Sequence, residues 1–480
     1  MMIVHCYRHI LSSLILSLSI LPLLQAQEVS THRSQSEEFG SYSVDSEHGW
    51  DSLNRMRGMT PFLHSTLRKG ERRDECDLDH IVFGWHPYWM GTAYENYDYS
   101  LLSDVSYFSY EVNPNTGNYN TVHSWKTTNL VPMAKAAERR VNLCVTLFSG
   151  HATFFGNPDA QRRLIDSLIV LVKLRDADGV NIDFESVPGS QRNNMTAFMR
   201  QLSERFHSEI PGSQISIDLP AVDWQKTFDV AAMEPYVDLF IIMGYAYHWS
   251  GSQSTGPNAP KNNGTLWSPY DLTRSVSYYL GLGLTSRKLC LGLPWYGQDW
   301  PAASQQPNAP TQGRGTAWVY SRVRDGLDQH ERQWDTHSST PWYAYSNGSG
   351  NWRQTWYDDE TSLGMKYDLT IMKDLAGVAI WALGYDGGYR EMWEALQQRF
   401  ANCGRTPCTG EITDMGGPTG DYPPNDDWNY TIAPEDATSV TLEFNELDIA
   451  DDHLLLYDGP DFNAPLIAEL TGSPPCDLLT

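Results

Sequence analysis

Positive charge is what this sequence has least of. Thirty-four Lys+Arg stand against 59 Asp+Glu, a formal net charge of −25 over 480 residues. Such a surface repels the phosphates of nucleic acid, which excludes that class of partner. Long apolar runs are scarce too. The run from Ile10 to Leu24 spans 15 residues, where about 20 are needed to cross a bilayer. With Arg8 and His9 before it and Ala26 placed for cleavage, residues 1–26 read as a secretory signal peptide. A membrane anchor is the alternative. The mature chain is expected outside the cell or in its envelope, with no membrane association after signal removal. Cysteine is sparse, with seven in the chain. Cys144 and Cys290 sit in apolar runs, as buried free thiols do. Cys403 and Cys408 are close enough to bridge locally. No CxxC pair or Cys/His cluster has the spacing of a zinc site, and no metal is expected. A Gly-rich dinucleotide loop is missing after the first strand-like run, which argues against a nucleotide-binding open sheet.

Aromatic residues, in contrast, are abundant: 17 Trp and 26 Tyr, in a chain that is 41% hydrophobic and only 19% charged. That composition builds a sizeable core and excludes global disorder. Flat rings in such numbers also suit a cleft, because a ring stacks on the apolar face of a sugar or a base.

Organisation follows from periodicity. Residues 27–77 are polar and lack a sustained period, which predicts a linker or poorly ordered leader. Strand-like runs then occur at Ile81–Trp85, Val105–Tyr110, Val141–Phe148, Gly179–Phe184, Ile215–Leu219, Val237–Met243, Lys288–Leu293 and Gly377–Trp381. Amphipathic stretches such as Ala160–Leu174, Arg192–His207, Leu272–Leu282 and Glu360–Leu375 lie between them. Eight strands alternating with helices over residues 78–402 predict an α/β fold, a (β/α)8 TIM barrel. A doubly wound open sheet is the alternative. The gap from Gly297 to about Trp356 is too long for one helix and predicts an insertion between strands seven and eight. After Cys408 the composition changes. Residues 409–480 hold 16 Asp/Glu and no Lys or Arg, and the runs Ser439–Phe444 and His453–Tyr457 predict a small C-terminal all-β module. Asp448, Asp451 and Asp452 form an acidic cluster that suits calcium or a solvated loop equally.

The stretch Asp178–Glu185 carries the chemistry. In a strand, Val180, Ile182 and Phe184 share one face, and Asn181, Asp183 and Glu185 share the other. A polar row inside a barrel is costly to bury unless it is used. Glu185 also falls at the strand's C-terminal end, where barrel active sites form.

This stretch resembles the DxxDxDxE signature of glycoside hydrolase family 18, the chitinase family, with Asn181 in place of the second Asp. Met243-Gly244-Tyr245 resembles the family's strand-six MxY, and Leu291–Gly297 its strand-seven LGxPxYG. Trp381 sits at the place of its strand-eight tryptophan. Trp356-Tyr357-Asp358-Asp359, with Ser362 and Lys366, resembles the segment entering the last helix. Two places depart from the pattern: Ala246 stands where Asp or Asn is usual, and Phe148-Ser149-Gly150-His151 matches the strand-three pattern poorly.

The resemblance implies a retaining hydrolase of β-1,4 bonds at N-acetylglucosamine, as in chitin or chito-oligosaccharides. The sugar's own 2-acetamido group would be the nucleophile, with no metal or organic cofactor. It implies Glu185 as the acid, Asp183 as orienter of the acetamido group, Tyr245 as its hydrogen-bond partner and Trp381 as the pocket floor. Asn181, Asp178 and Met243 are expected near the substrate, and Trp85, Trp249 and Trp295 are candidates for stacking on further sugars. Asn181 also resembles a branch that cuts peptidoglycan, so a peptidoglycan N-acetylglucosaminidase is one alternative. A non-hydrolytic chitinase-like lectin is another. The tail is similar to a CUB domain at Asp421-Tyr422-Pro423, Trp428, Ile432, Leu442–Phe444, Leu456–Gly459 and Thr471-Gly472, without its usual final strands. That likeness implies contact with protein or carbohydrate.

Overall fold

The structure, a computed structural model, describes residues 30–39 and 77–402 with breaks at 347 and 349, together with short stretches between 432 and 479. Eight parallel strands close into a barrel. They are β1 (Ile81–Pro87), β2 (Asp104–Val112), β3 (Arg140–Leu147), β4 (Gly179–Phe184), β5 (Gln214–Pro220), β6 (Leu239–Met243), β7 (Leu289–Pro294) and β8 (Gly377–Trp381). Each neighbours the next, and β8 pairs in parallel with β1 to close the ring. The strand boundaries read from sequence fall within two residues of these at every end.

The helices around the barrel start where local chemistry says they should. Asn157 caps α2 (Pro158–Arg175) by accepting a bond from the Ala160 amide, with Pro158 in the first turn, where its missing N–H costs nothing. α3 spans Arg192–Glu209, and α4 (Leu272–Gly281) is capped by Asp271. α5 (Glu360–Met372) begins with a reciprocal Asp359–Ser362 capping box, and α6 covers Glu391–Phe400. The apolar face of β4 packs outward as the alternation requires: Phe184 stacks on Phe198 of α3 with ring centres 5.7 Å apart. Gly179 begins this strand because a Cβ there would fall 2.0 Å from the Gln214 carbonyl oxygen of β5.

The insertion after β7 is built on a five-stranded antiparallel sheet and carries one short helix, Tyr320–Gly326. Trp342 and Trp356 pair across neighbouring strands with their rings 5.2 Å apart, and Trp267 and Trp300 complete a small core of their own. In the tail, His453–Tyr457 pairs antiparallel with Leu466–Thr471, and Leu442–Glu443 with Leu478–Leu479. The rest of the CUB-like segment, Asp448, Asp451, Cys403 and Cys408 lie outside the described residues. Cys144 and Cys290 are buried free thiols. Among the described residues, no helix is long and apolar enough to cross a membrane.

The leader departs from its expectation. Part of it, Thr31–Phe39, is a helix, α1. Nine residues are too few to hold a helix alone in water, so tertiary contact must hold this one. Its buried residues His32, Gln35 and Phe39 recur at i, i+3 and i+7, one face of the helix, and that face lies in the barrel mouth.

Candidate active site

β4 delivers the central groups. Asn181 and Asp183 project inward with no exposure, and Glu185, just past the strand end, is 8% exposed. Burial drives Glu185 upward, and the neighbouring Asp183 charge adds to it, bringing its pKa to about 8. Asp183 is also held well above the carboxylate range by burial. Asp218 of β5 is raised by burial first and by the Asp183 charge second. Glu185 therefore holds its proton near neutral pH, as an acid must if it is to donate one there.

Asp218 was not anticipated from the sequence. The signal was present: Ser216 and Asp218 alternate with Ile215, Ile217 and Leu219, a second polar row beside that of β4. Asn181 joins the two rows. Its amide donates to Ser216 Oγ (3.1 Å) and Asp218 Oδ1 (2.9 Å), and its carbonyl accepts from Trp85 Nε1 (2.7 Å). The amide is thus committed inside the protein, so Asn181 positions Asp218 and Trp85 instead of facing substrate as expected.

Tyr245 and Trp381 close the site from β6 and β8, both fully or almost fully buried. Met243 lines a residual cavity of about 60 Å³ together with Glu185 and Tyr245, room for a few waters only. Ala246 has φ 62° and its amide donates to Asn258 Oδ1 at 2.9 Å, so Asn258 brings a side-chain amide to the place where the resemblance leads one to expect Asp or Asn.

Three expected residues fall elsewhere. Asp178 lies at the opposite end of β4, where it pairs with Lys135 (2.6 Å) and accepts from the Val141 amide (2.7 Å). It latches the strand start and is a strand's length, about 20 Å, from the mouth. Trp295 is wholly buried, its ring edge-on to Trp393 of α6 at 5.0 Å. Trp249 is half-buried over Gly251, and its carbonyl takes a bond from Trp300 Nε1. Both serve packing. Trp85, in contrast, stands 6.0 Å from Trp381, edge to face.

α1 fills what remains. The Ser30 hydroxyl donates to Glu185 Oε1 at 2.5 Å. His32 Nδ1 lies 2.8 Å from Asp183 Oδ2, and Nε2 lies 2.7 Å from the Tyr245 hydroxyl. Its ring stacks on Trp381 with centres 3.7 Å apart. Trp381 Nε1 (2.8 Å) and the Tyr385 hydroxyl (2.9 Å) both donate to Gln35 Oε1. Burial lowers the His32 pKa to about 4. A neutral ring with the proton on Nδ1 satisfies both neighbours, donating to Asp183 and accepting from Tyr245. His32, Asp183 and Asp218 bring potential ligand atoms within 4.8 Å of one another. Both ring nitrogens are already hydrogen-bonded, so the trio reads as a polar network and not as a cation site.

A parallel eight-stranded barrel with buried carboxyl groups at the C-terminal end of β4, an aromatic floor and a tyrosine facing them is the architecture of a barrel glycosidase. The sequence agrees: residues 74–386 match the model of the glycosyl hydrolases family 18, and the chain belongs to that family. Di-N-acetylchitobiase of Rattus norvegicus is 28% identical over 276 residues, covering 51% of this chain and 73% of that one. A family-18 chitinase from Cycas revoluta, solved with (GlcNAc)3, shares the fold with TM-score 0.60 at 18% identity, over 66% of this chain and 99% of the other. Human YKL-39, described as a pseudo-chitinase that retains chitooligosaccharide binding, superposes with TM-score 0.61 at 17% identity, over 67% and 99%.

Proposed function

We propose that this protein is an exported retaining hydrolase that cleaves β-1,4 bonds at N-acetylglucosamine in chitin or chito-oligosaccharides, with the substrate's acetamido group as nucleophile. The observation that carries the reading is the placement of Glu185, Asp183 and Tyr245 around one buried point above Trp381. Glu185, protonated up to about pH 8, gives its proton to the leaving oxygen. Asp183 accepts from the acetamido N–H and, on ionising, stabilises the cationic ring that forms when the acetamido oxygen attacks the anomeric carbon. The Tyr245 hydroxyl donates to that oxygen and aligns it. Asp218, held by Asn181, shares the proton load with Asp183 and so tunes its charge. Trp381 supports the apolar face of the distorted sugar. Water then gives a proton to the Glu185 carboxylate and attacks the anomeric carbon from the face the leaving group left; the bond to the acetamido oxygen breaks, giving retention.

A lectin reading is disfavoured by Glu185, since the carboxyl group stands at the place of the proton donor, which hydrolysis requires and binding alone does not. Export is supported by the run Ile10–Leu24 and its flanks. The test is product analysis after separate incubation with chito-oligosaccharides and with purified peptidoglycan. Shortened oligosaccharides from the first support the proposal; release from peptidoglycan alone would move the substrate to the cell wall.

A further inference from the structure

The seated helix reproduces the interactions proposed for the sugar, group by group. An acetamido group offers one N–H donor and one oxygen acceptor. The neutral His32 ring offers the same pair, one nitrogen to Asp183 and the other to Tyr245. Its flat face lies on Trp381, and the Ser30 hydroxyl meets Glu185 where a leaving oxygen would. Gln35 and Phe39 extend the contact outward, Gln35 to the Trp381 and Tyr385 side-chain donors and Phe39 to the rings of Trp89 and Tyr385. A helix face of His and Gln would gain nothing by packing on apolar surface. Here every polar group on it except Gln35 Nε2 has a buried partner, so the face is matched to a polar site.

We propose that Ser30–Phe39 is a built-in pseudosubstrate that keeps the site latent, with the His32 imidazole standing in for the 2-acetamido group. The mimicry rests on the acetamido reading above; the occlusion rests on geometry alone. Substrate and α1 compete for one place, so apparent affinity falls by the fraction of molecules in which α1 has left. Loosening α1 raises binding of an N-acetylglucosamine oligosaccharide and, if the site hydrolyses, turnover with it.

The test compares the full chain with His32→Ala and, as a second variant that leaves the central ring in place, Gln35→Ala. Chitotriose affinity is measured by calorimetry, and amide exchange of residues 31–39 by mass spectrometry. Both variants are expected to bind chitotriose at least about tenfold more tightly, and their 31–39 amides to exchange much faster than those of the unaltered chain. A gain in binding with no hydrolysis in any variant would sink the hydrolase reading and leave the pseudosubstrate standing. Equal chitotriose affinity in all three chains overturns the pseudosubstrate, whatever their activity. So does exchange of 31–39 in the unaltered chain as fast as in an unstructured peptide.

Discussion

Replacing Asp183 by Asn should move the alkaline limb of the pH–rate profile downward. His32 Nδ1 lies 2.8 Å from Asp183 Oδ2 and 3.5 Å from Glu185 Oε1, which sets the two carboxyl oxygens within about 6 Å of each other. Two unit charges at that separation repel by about 3 kcal/mol at an effective dielectric of about 20, or about two pKa units. Asp183 is itself held above the usual carboxylate range by burial, so it carries only part of its charge, and the expected effect is nearer one unit. The sign follows from the role. Glu185 works as an acid only while protonated, and its pKa of about 8 owes its second-largest contribution to Asp183. A neutral Asn lets Glu185 ionise earlier, so activity is lost at lower pH. The assay is kcat/KM on a fluorogenic chitobioside from pH 5 to 10, for the unaltered chain and Asp183→Asn alike. A limb that stays put or moves upward would refute both the electrostatic coupling and the assignment of Glu185 as the titrating acid.

Tyr245→Phe should lower kcat about tenfold or more with less change in KM, because one hydrogen bond to the attacking oxygen is lost, about 1–3 kcal/mol; steady-state kinetics separate the two. Glu185→Gln should stabilise the fold in a pH-dependent way. With its pKa raised from 4.5 to about 8 in the native state, Glu185 keeps a proton that the unfolded chain releases, and stability falls across that window by about 1.4 kcal/mol per pH unit. Melting temperatures of Glu185→Gln and the unaltered chain should coincide near pH 4 and diverge as pH rises to 8. Lys366→Met should cost about 3–5 kcal/mol in denaturant melts, since it strands Asp358, whose only buried cationic partner among the described residues is Lys366. Adding Asp358→Asn should recover much of that loss.

The barrel was legible because strand alternation and helix spacing repeat eight times, and each strand's apolar row had one face to fill. The buried carboxyl pair was legible for the same reason, since Asp183 and Glu185 break that apolar pattern on a strand covered by α2 and α3. Asp218 escaped notice although its strand shows the same break. One Ser and one Asp in a short run also suit a half-solvated strand, and only closure of the ring makes the row internal. Asp178 belonged to the motif by spacing, yet six residues before the strand's C-terminal end place it at the barrel floor. Trp249 and Trp295 show the limit of counting aromatics: position after a strand does not say which way a ring turns. α1 was hidden most completely. Its buried face is His32 and Gln35 with a single apolar residue, Phe39, a pattern hydropathy assigns to solvent, and its partner is a polar pocket assembled from β4, β6 and β8.

In the mechanism proposed above, the sugar's own acetamido group attacks while Glu185 donates. The most direct measurement is proton NMR of the reducing-end anomer in the first product formed from a chito-oligosaccharide, before mutarotation sets in. Substrate assistance predicts the β anomer, since two displacements at one carbon restore its configuration. A first product in the α configuration would mean that water attacks directly from the opposite face under a separate base, and would contradict the roles given to Asp183, Tyr245 and Glu185 together.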